Sequence, residues 1–273
     1  MKKQWKWSHA YLAAILALTY VPILLTVVYS FNESKITSVW GGLSLKWYRE
    51  LFSDRDLREA LVNSLVLALC SCGAATVIGT MGALGMEKVK LRANGWIEYI
   101  STLPMMIPEI ILGMVFMATF SLMGLPFGMT TLIIAHTTFC VPYIFMMVKA
   151  RLAGMDKSIE EAARDLGAGP FRLFWDITLP MILPAVLSGM LLAFAMSFDD
   201  VVISLFVTGP KVNTLPIKIY TKLKTGVTPE INALAALLLV VIIAALLLSN
   251  FISAQGRRRQ KRAAEAQQAE AAA

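Results

Sequence analysis

Three carboxylates stand alone inside long apolar stretches of this chain: Glu109, Asp199 and Asp200. A charge in hydrocarbon costs about 2.5–3.5 kcal/mol on insertion scales, so such residues are rare and mark functional positions. No Lys or Arg shares those stretches. Unneutralised carboxylates suit a cationic cargo, because ammonium groups can exchange lost water for charge-assisted hydrogen bonds. Tyr143, Phe198 and Tyr220 join the candidate pathway, since aromatic faces attract ammonium groups. The structural alternative stands beside this: Asp199 could bond hydroxyls of a neighbouring helix, and adjacent residues cannot both face one path. At least one of the acidic pair is therefore expected on a cation route.

Other chemistry is missing from the pattern. No Ser-His-Asp or metal constellation appears in the sequence, with only His9 and His136 available, and no catalytic or metal-binding residue is assigned. His136 reads as a hydrogen-bonded helix contact. Cys70, Cys72 and Cys140 lie in apolar segments and read as buried free thiols. No G-x-x-x-x-G-K-[ST] occurs, nor any Gly-Lys pair. The chain is therefore expected to bind no nucleotide through a phosphate-cradling loop, to hold no cofactor and to be no enzyme by itself.

The elements that must hold these residues follow from composition. Of 273 residues, 57% are hydrophobic and only 16% charged, against about 25% charged in soluble domains. Mean hydropathy is +0.66. Too few polar groups exist to cover a water-facing surface, which leaves an integral membrane protein. Six apolar segments appear, near residues 10–31, 61–86, 99–123, 130–148, 182–207 and 233–253. Each is expected to be a helix, since hydrocarbon leaves no partner for open backbone groups. Pro104 and Pro108 precede Glu109, so the third segment is expected to break there.

Basic residues set the orientation. With the amino terminus inside, sixteen Lys and Arg fall in inner segments and nine in outer ones. Both termini are thus expected in the cytoplasm, and the net charge of +7 reads as a topology signal with no nucleic-acid partner implied. Trp5, Trp7, Trp40 and Trp47 fit an interfacial belt. Prolines 210, 216 and 229 with Gly226 suggest a structured turn over the pathway.

The longest inner loop carries a second pattern. Ser158 and Glu161 have capping-box spacing, and Ile159, Ala162, Ala163 and Leu166 form a narrow apolar stripe. Gly167 and Gly169 supply a stop, and Pro170 can open a second short helix bearing Phe171, Phe174 and Trp175. On its own this is equally an amphipathic helix resting on the bilayer.

With its spacing, Glu161-Ala162-Ala163, then Gly167, Ile177 and Leu179-Pro180, the loop resembles the EAA loop of bacterial ABC importer permeases. The resemblance implies an all-α integral membrane fold, the type I importer transmembrane domain, with six transmembrane helices and a cytoplasmic coupling helix. It implies a division into an N-terminal span and external loop (1–60), a permease domain (61–253, coupling loop 156–180) and a cytoplasmic tail (254–273). Glu161, Ala162, Ala163, Gly167, Ile177, Leu179 and Pro180 would couple to a separate ATPase, on which ATP and magnesium would reside. Further stretches, among them Ser197-Phe198-Asp199-Asp200 and Leu215-Pro216-Ile217-Lys218-Ile219-Tyr220, resemble the second permease of the spermidine/putrescine branch. Two ATP-binding subunits, a second homologous permease and a periplasmic polyamine-binding protein would be partners in the bacterial inner membrane, with lipid around the spans. A permease for another small cationic solute, or a proton-coupled secondary carrier using the same acids, stays open.

Overall fold

A computed structural model describes residues 2–36, 39–89, 94–224, 226 and 228–244. Regular structure among these is helical apart from one bridge between Asn32 and Leu43. Two compact units divide the chain, residues 55–221 and residues 1–54 with 222–273.

In the unit of residues 55–221, α3 (Arg55–Lys88), α6 (Met129–Ala153) and α9 (Leu179–Asp199) form the core, with α6 at its centre. Leu132, Ala135, Ile144 and Val148 of α6 are fully buried. Without a hydrophobic force between helices in lipid, close backbone approach must hold them, and small residues permit it. Ile144 sits in such a wedge. A Cβ on Gly79 of α3 would come 3.1 Å from the Ile144 Cβ, and one on Gly189 of α9 would come 3.1 Å from its Cα.

The third apolar segment is indeed broken. It forms α4 (Asn94–Met106) and α5 (Glu109–Leu122), bent by 106°. Pro108 lacks an amide hydrogen and pushes Ile107 out of helical conformation, which explains the break between them. Lys149 of α6 pairs with Glu98 of α4, and Arg151 Nε donates to the Met181 carbonyl at 2.9 Å.

The fifth segment departs from expectation. No continuous helix runs over 182–207. Instead a helix begins at Pro170 as α8 (Pro170–Arg172), continues through a π-helical turn (Leu173–Thr178) into α9, and ends at Asp199. Asp200 is extended, with ψ 125°, and α10 (Val202–Val207) restarts the helix. The expected second short loop helix is thus the foot of the span itself. α10 packs on α5, where Gly113 leaves room for the Phe206 ring. α11 (Leu215–Lys224) follows inside the stretch expected to be a turn. Its Lys218 bonds Asp56 at 3.0 Å.

In the other unit, α1 (Lys2–Tyr29) carries an apolar span over Trp7–Tyr29 whose window has no buried residue. The chain then folds around Asn32, which is fully buried. Its side chain donates to the Val39 carbonyl and accepts from the Gly41 amide, each at 2.8 Å. Trp47, at the start of α2 (Lys46–Ser53), donates to the Asn32 carbonyl at 2.6 Å and is buried. It belongs to this packed loop, not to an interfacial belt. Lys222 meets Asp54 at 3.3 Å and Glu230 at 2.5 Å. Partial burial opposes its charge, but the two carboxylates outweigh that and hold the ammonium above the ordinary lysine range.

Among the described residues four helices are long and apolar enough to span a membrane, five if the bent pair is one span. The last apolar segment forms α12 (Pro229–Ala244). The remainder of that expected span, 245–253, and the tail 254–273 lie outside the described residues, as do Lys90 and Arg92 of the inner loop. Cys72 and Cys140 are buried, whereas Cys70 on α3, expected buried, is exposed.

Candidate functional site: an acidic cleft at two helix breaks

Both helix breaks open onto one cleft of about 430 Å³, walled by Glu109, Phe139, Ala195, Met196, Asp199, Asp200, Val201 and Val202. The three intramembrane acids are therefore brought together. Glu109 begins α5, Asp199 ends α9, and Asp200 occupies the interruption before α10. No Lys or Arg stands in the wall.

The two adjacent aspartates divide their roles. Asp199 is exposed to the cleft, and among the described residues neither it nor Glu109 has a hydrogen bond or ion pair. The Asp200 side chain is only 4% exposed. It accepts from the amides of Ile203 at 3.2 Å and Ser204 at 2.8 Å, and from the Ser204 hydroxyl at 2.8 Å. Asp200 thereby caps the first turn of α10, satisfying amides that the break would leave open. The hydroxyl-bonded acid foreseen for Asp199 is Asp200 instead.

The aromatic candidates lie elsewhere. Tyr143 is half-buried against the α6 core, Phe198 stacks on Phe194 at 5.9 Å, and Tyr220 stands on α11. None walls the cleft. The aromatic ring that does is Phe139, one turn beyond His136 on α6.

At the opposite end of α9 the coupling-loop pattern forms α7 (Lys157–Asp165). Its cap is Asp156, not Ser158: the Asp156 carboxylate accepts the Ser158 amide at 2.9 Å. That bond holds the Asp156 carboxyl below the ordinary range. The helix starts one residue before the expected capping box, so Ser158 already lies inside the first turn. Gly167 ends it with φ +82°, where a side chain is strained. The Gly167 amide donates to Arg164 at 2.9 Å and the Ala168 amide to Ala163 at 3.0 Å, a Schellman closure.

Glu161 and Ala162 are exposed on α7 and Ala163 is half-buried. Glu161 borders a second cleft of about 320 Å³, with Glu87, Lys88, Leu152, Met155, Asp156, Glu160 and Arg164. Leu166, Phe171 and Trp175 of the same loop expose apolar surface, with Leu166 89% exposed. Ile177 lies in the π-helical turn, and Leu179-Pro180 open α9. Thr178 of that turn, a member of the stripe that runs from Phe171 to Leu179-Pro180, donates to Glu160 at 2.9 Å.

Comparison with known proteins agrees with this architecture. Residues 75–261 match the family described as binding-protein-dependent transport system inner membrane component. The putrescine transport system permease protein PotI of Escherichia coli (strain K12) is 44% identical over 225 residues, 80% of each chain. The spermidine/putrescine transport system permease protein PotC of the same organism is 40% identical over 227 residues, covering 83% of this chain and 86% of that one. Among solved structures, a bacterial alginate ABC transporter in complex with an alginate pentasaccharide-bound periplasmic protein superposes with a TM-score of 0.70. It covers 90% of this chain and 93% of that one at 18% identity, a likeness of fold alone. A multi-pass helical chain with two interrupted spans and an exposed EAA helix, matched over most of its length, belongs to the inner membrane components of binding-protein-dependent transport systems.

Proposed function

We propose that the chain is a permease subunit that provides half of a polyamine import pathway across a bacterial inner membrane. The observation that carries this is the cleft, where the free carboxylates of Glu109 and Asp199 face one space with no basic residue in its wall. A dication such as putrescine would exchange its hydration for these carboxylates. Interrupted helices are a recurring feature of substrate sites within membranes. The names of the relatives support the same cargo class.

Energy would come from ATP-binding subunits, two per complex, one of them docking on α7 and its exposed neighbours Leu166, Phe171 and Trp175, with both termini cytoplasmic. A second homologous permease would complete the pathway, and a periplasmic polyamine-binding protein would deliver cargo. ATP and magnesium would reside on the ATPase partners. Glu161, Ala162, Ala163, Gly167, Ile177, Leu179 and Pro180 would transmit the motion; Tyr143, Phe198 and Tyr220 would line more distant parts of the route.

Competition tests the proposal. Uptake of labelled putrescine by cells expressing the chain with its neighbouring transport genes is expected to be ATP-dependent and inhibited by excess spermidine. Inhibition instead by neutral sugars or amino acids, with polyamines inert, would reject the cargo.

A further inference from the structure

One buried polar side chain lies behind the cleft without walling it. His136 is fully buried on α6 and lies beside both ends of the α9–α10 break. Its Nδ1 is 2.8 Å from the Ser197 hydroxyl, in the last turn of α9. Its Nε2 is 3.0 Å from the Ser204 hydroxyl, in the first turn of α10, and 3.4 Å from Asp200 Oδ2. Ser197 in turn meets Ser71 of α3 at 3.1 Å, and Ser71 donates to the Leu67 carbonyl at 2.7 Å. One polar chain thus joins α3, α6, α9 and α10.

Hydrogen accounting fixes its direction. The Ser204 hydroxyl donates its only hydrogen to Asp200. Toward His136 it can only accept, so Nε2 carries a hydrogen whatever the state of the ring. That hydrogen points to the Ser204 oxygen and the carboxylate behind it. Asp200 therefore meets a donor from outside its own segment, and its charge is spent within the protein. Asp199, one residue earlier, walls the same cleft but is exposed to it, whereas the Asp200 side chain is only 4% exposed.

We propose that His136 is a positioning residue for the cation route: it clasps both ends of the α9–α10 break and so presents Asp199, with Asp200 withdrawn, to the cargo. A buried network of this kind has high stakes, since each member left without its partner loses a full hydrogen bond in a low-dielectric setting. Only the kinetic arm of the test rests on the polyamine reading.

The experiment uses the complete transporter in membranes. Asp199→Cys is placed in a Cys70→Ser background and labelled with methanethiosulfonate ethyltrimethylammonium, a cation that must reach the cleft. Adding His136→Ala is expected to slow labelling about five-fold or more, and His136→Gln, whose amide still donates toward Ser204, to restore most of it. Labelling unchanged within about two-fold would overturn the proposal. If His136→Ala fails to insert, Ser197→Ala and Ser204→Ala each release one side of the clasp and are read in the same way.

In the kinetic arm, His136→Ala with Asp199 intact is expected to raise KM for putrescine about ten-fold at similar maximal rate per inserted transporter. A fall in maximal rate alone, with KM unchanged, would assign His136 to folding only and overturn the proposal. Absence of putrescine uptake by the parent would reject the cargo, while the labelling result still decides His136.

Discussion

The hydroxyl of Thr178 donates to Glu160 at 2.9 Å and ties α7 to the π-helical foot of the helix that ends at Asp199. Motion at α7 therefore has a direct mechanical route into that helix. Thr178 is buried and Glu160 mostly so, which shields the bond from water. Thr178→Val and Glu160→Gln should each weaken the link by about 1–2 kcal/mol. The ratio of uptake to ATP hydrolysis in proteoliposomes is expected to fall several-fold in both, with membrane insertion intact. An unchanged ratio would remove the link from coupling.

Two glycines of the same loop should respond differently. Gly167 sits at φ +82° with open space around it, so a methyl group meets strain without a clash. Gly169 lies at φ −68° in equally open space. Gly167→Ala should cost about 1 kcal/mol and loosen the end of α7, whereas Gly169→Ala should be near neutral. Limited proteolysis of the loop, together with pull-down of the ATPase, reads the difference.

The wedge of Ile144 gives a stability test. Gly79→Val and Gly189→Val each force branched carbon against Ile144, where even a Cβ would be close-packed. Each should destabilise the unit of residues 55–221 by about 1–3 kcal/mol. Thermal unfolding in detergent is the measurement, and Ile144→Ala should partly rescue either variant.

What the sequence displayed and what it concealed separate along physical lines. Apolar length announced the spans, and Pro104 with Pro108 announced the break before Glu109, because both signals are local. The EAA spacing announced α7 for the same reason. Asp199 and Asp200 were indistinguishable, since only packing decides which carboxylate turns inward to Ser204 and His136. The break at Asp200 had one local hint: an Asp preceding Val202-Ile203-Ser204 is a capping pattern, but the apolar run masked it. Trp47 was misplaced because its partner, the Asn32 carbonyl, lies fifteen residues away across a folded loop.

Lys222 supplies a pH dependence. Its ammonium is held above the ordinary value of 10.5 by Glu230 and Asp54, against the opposing effect of burial. A raised value means the stabilisation is complete below 10.5 and fades as pH climbs through the higher folded value. Lys222→Met should lower the unfolding temperature at neutral pH by a few degrees. The gap between parent and variant should stay constant up to about pH 10 and narrow above it. A gap that closes near neutral pH would contradict this pairing.

The central claim is that Asp199 meets the ammonium group of a polyamine in the cleft at the α9–α10 break. Initial rates of putrescine uptake, measured over a range of concentrations for the parent and for Asp199→Asn at equal membrane abundance, test it most directly. The structure predicts a KM at least about ten-fold higher in Asp199→Asn, equivalent to roughly 1.4 kcal/mol of lost binding. Equal KM values in the two transporters would contradict it.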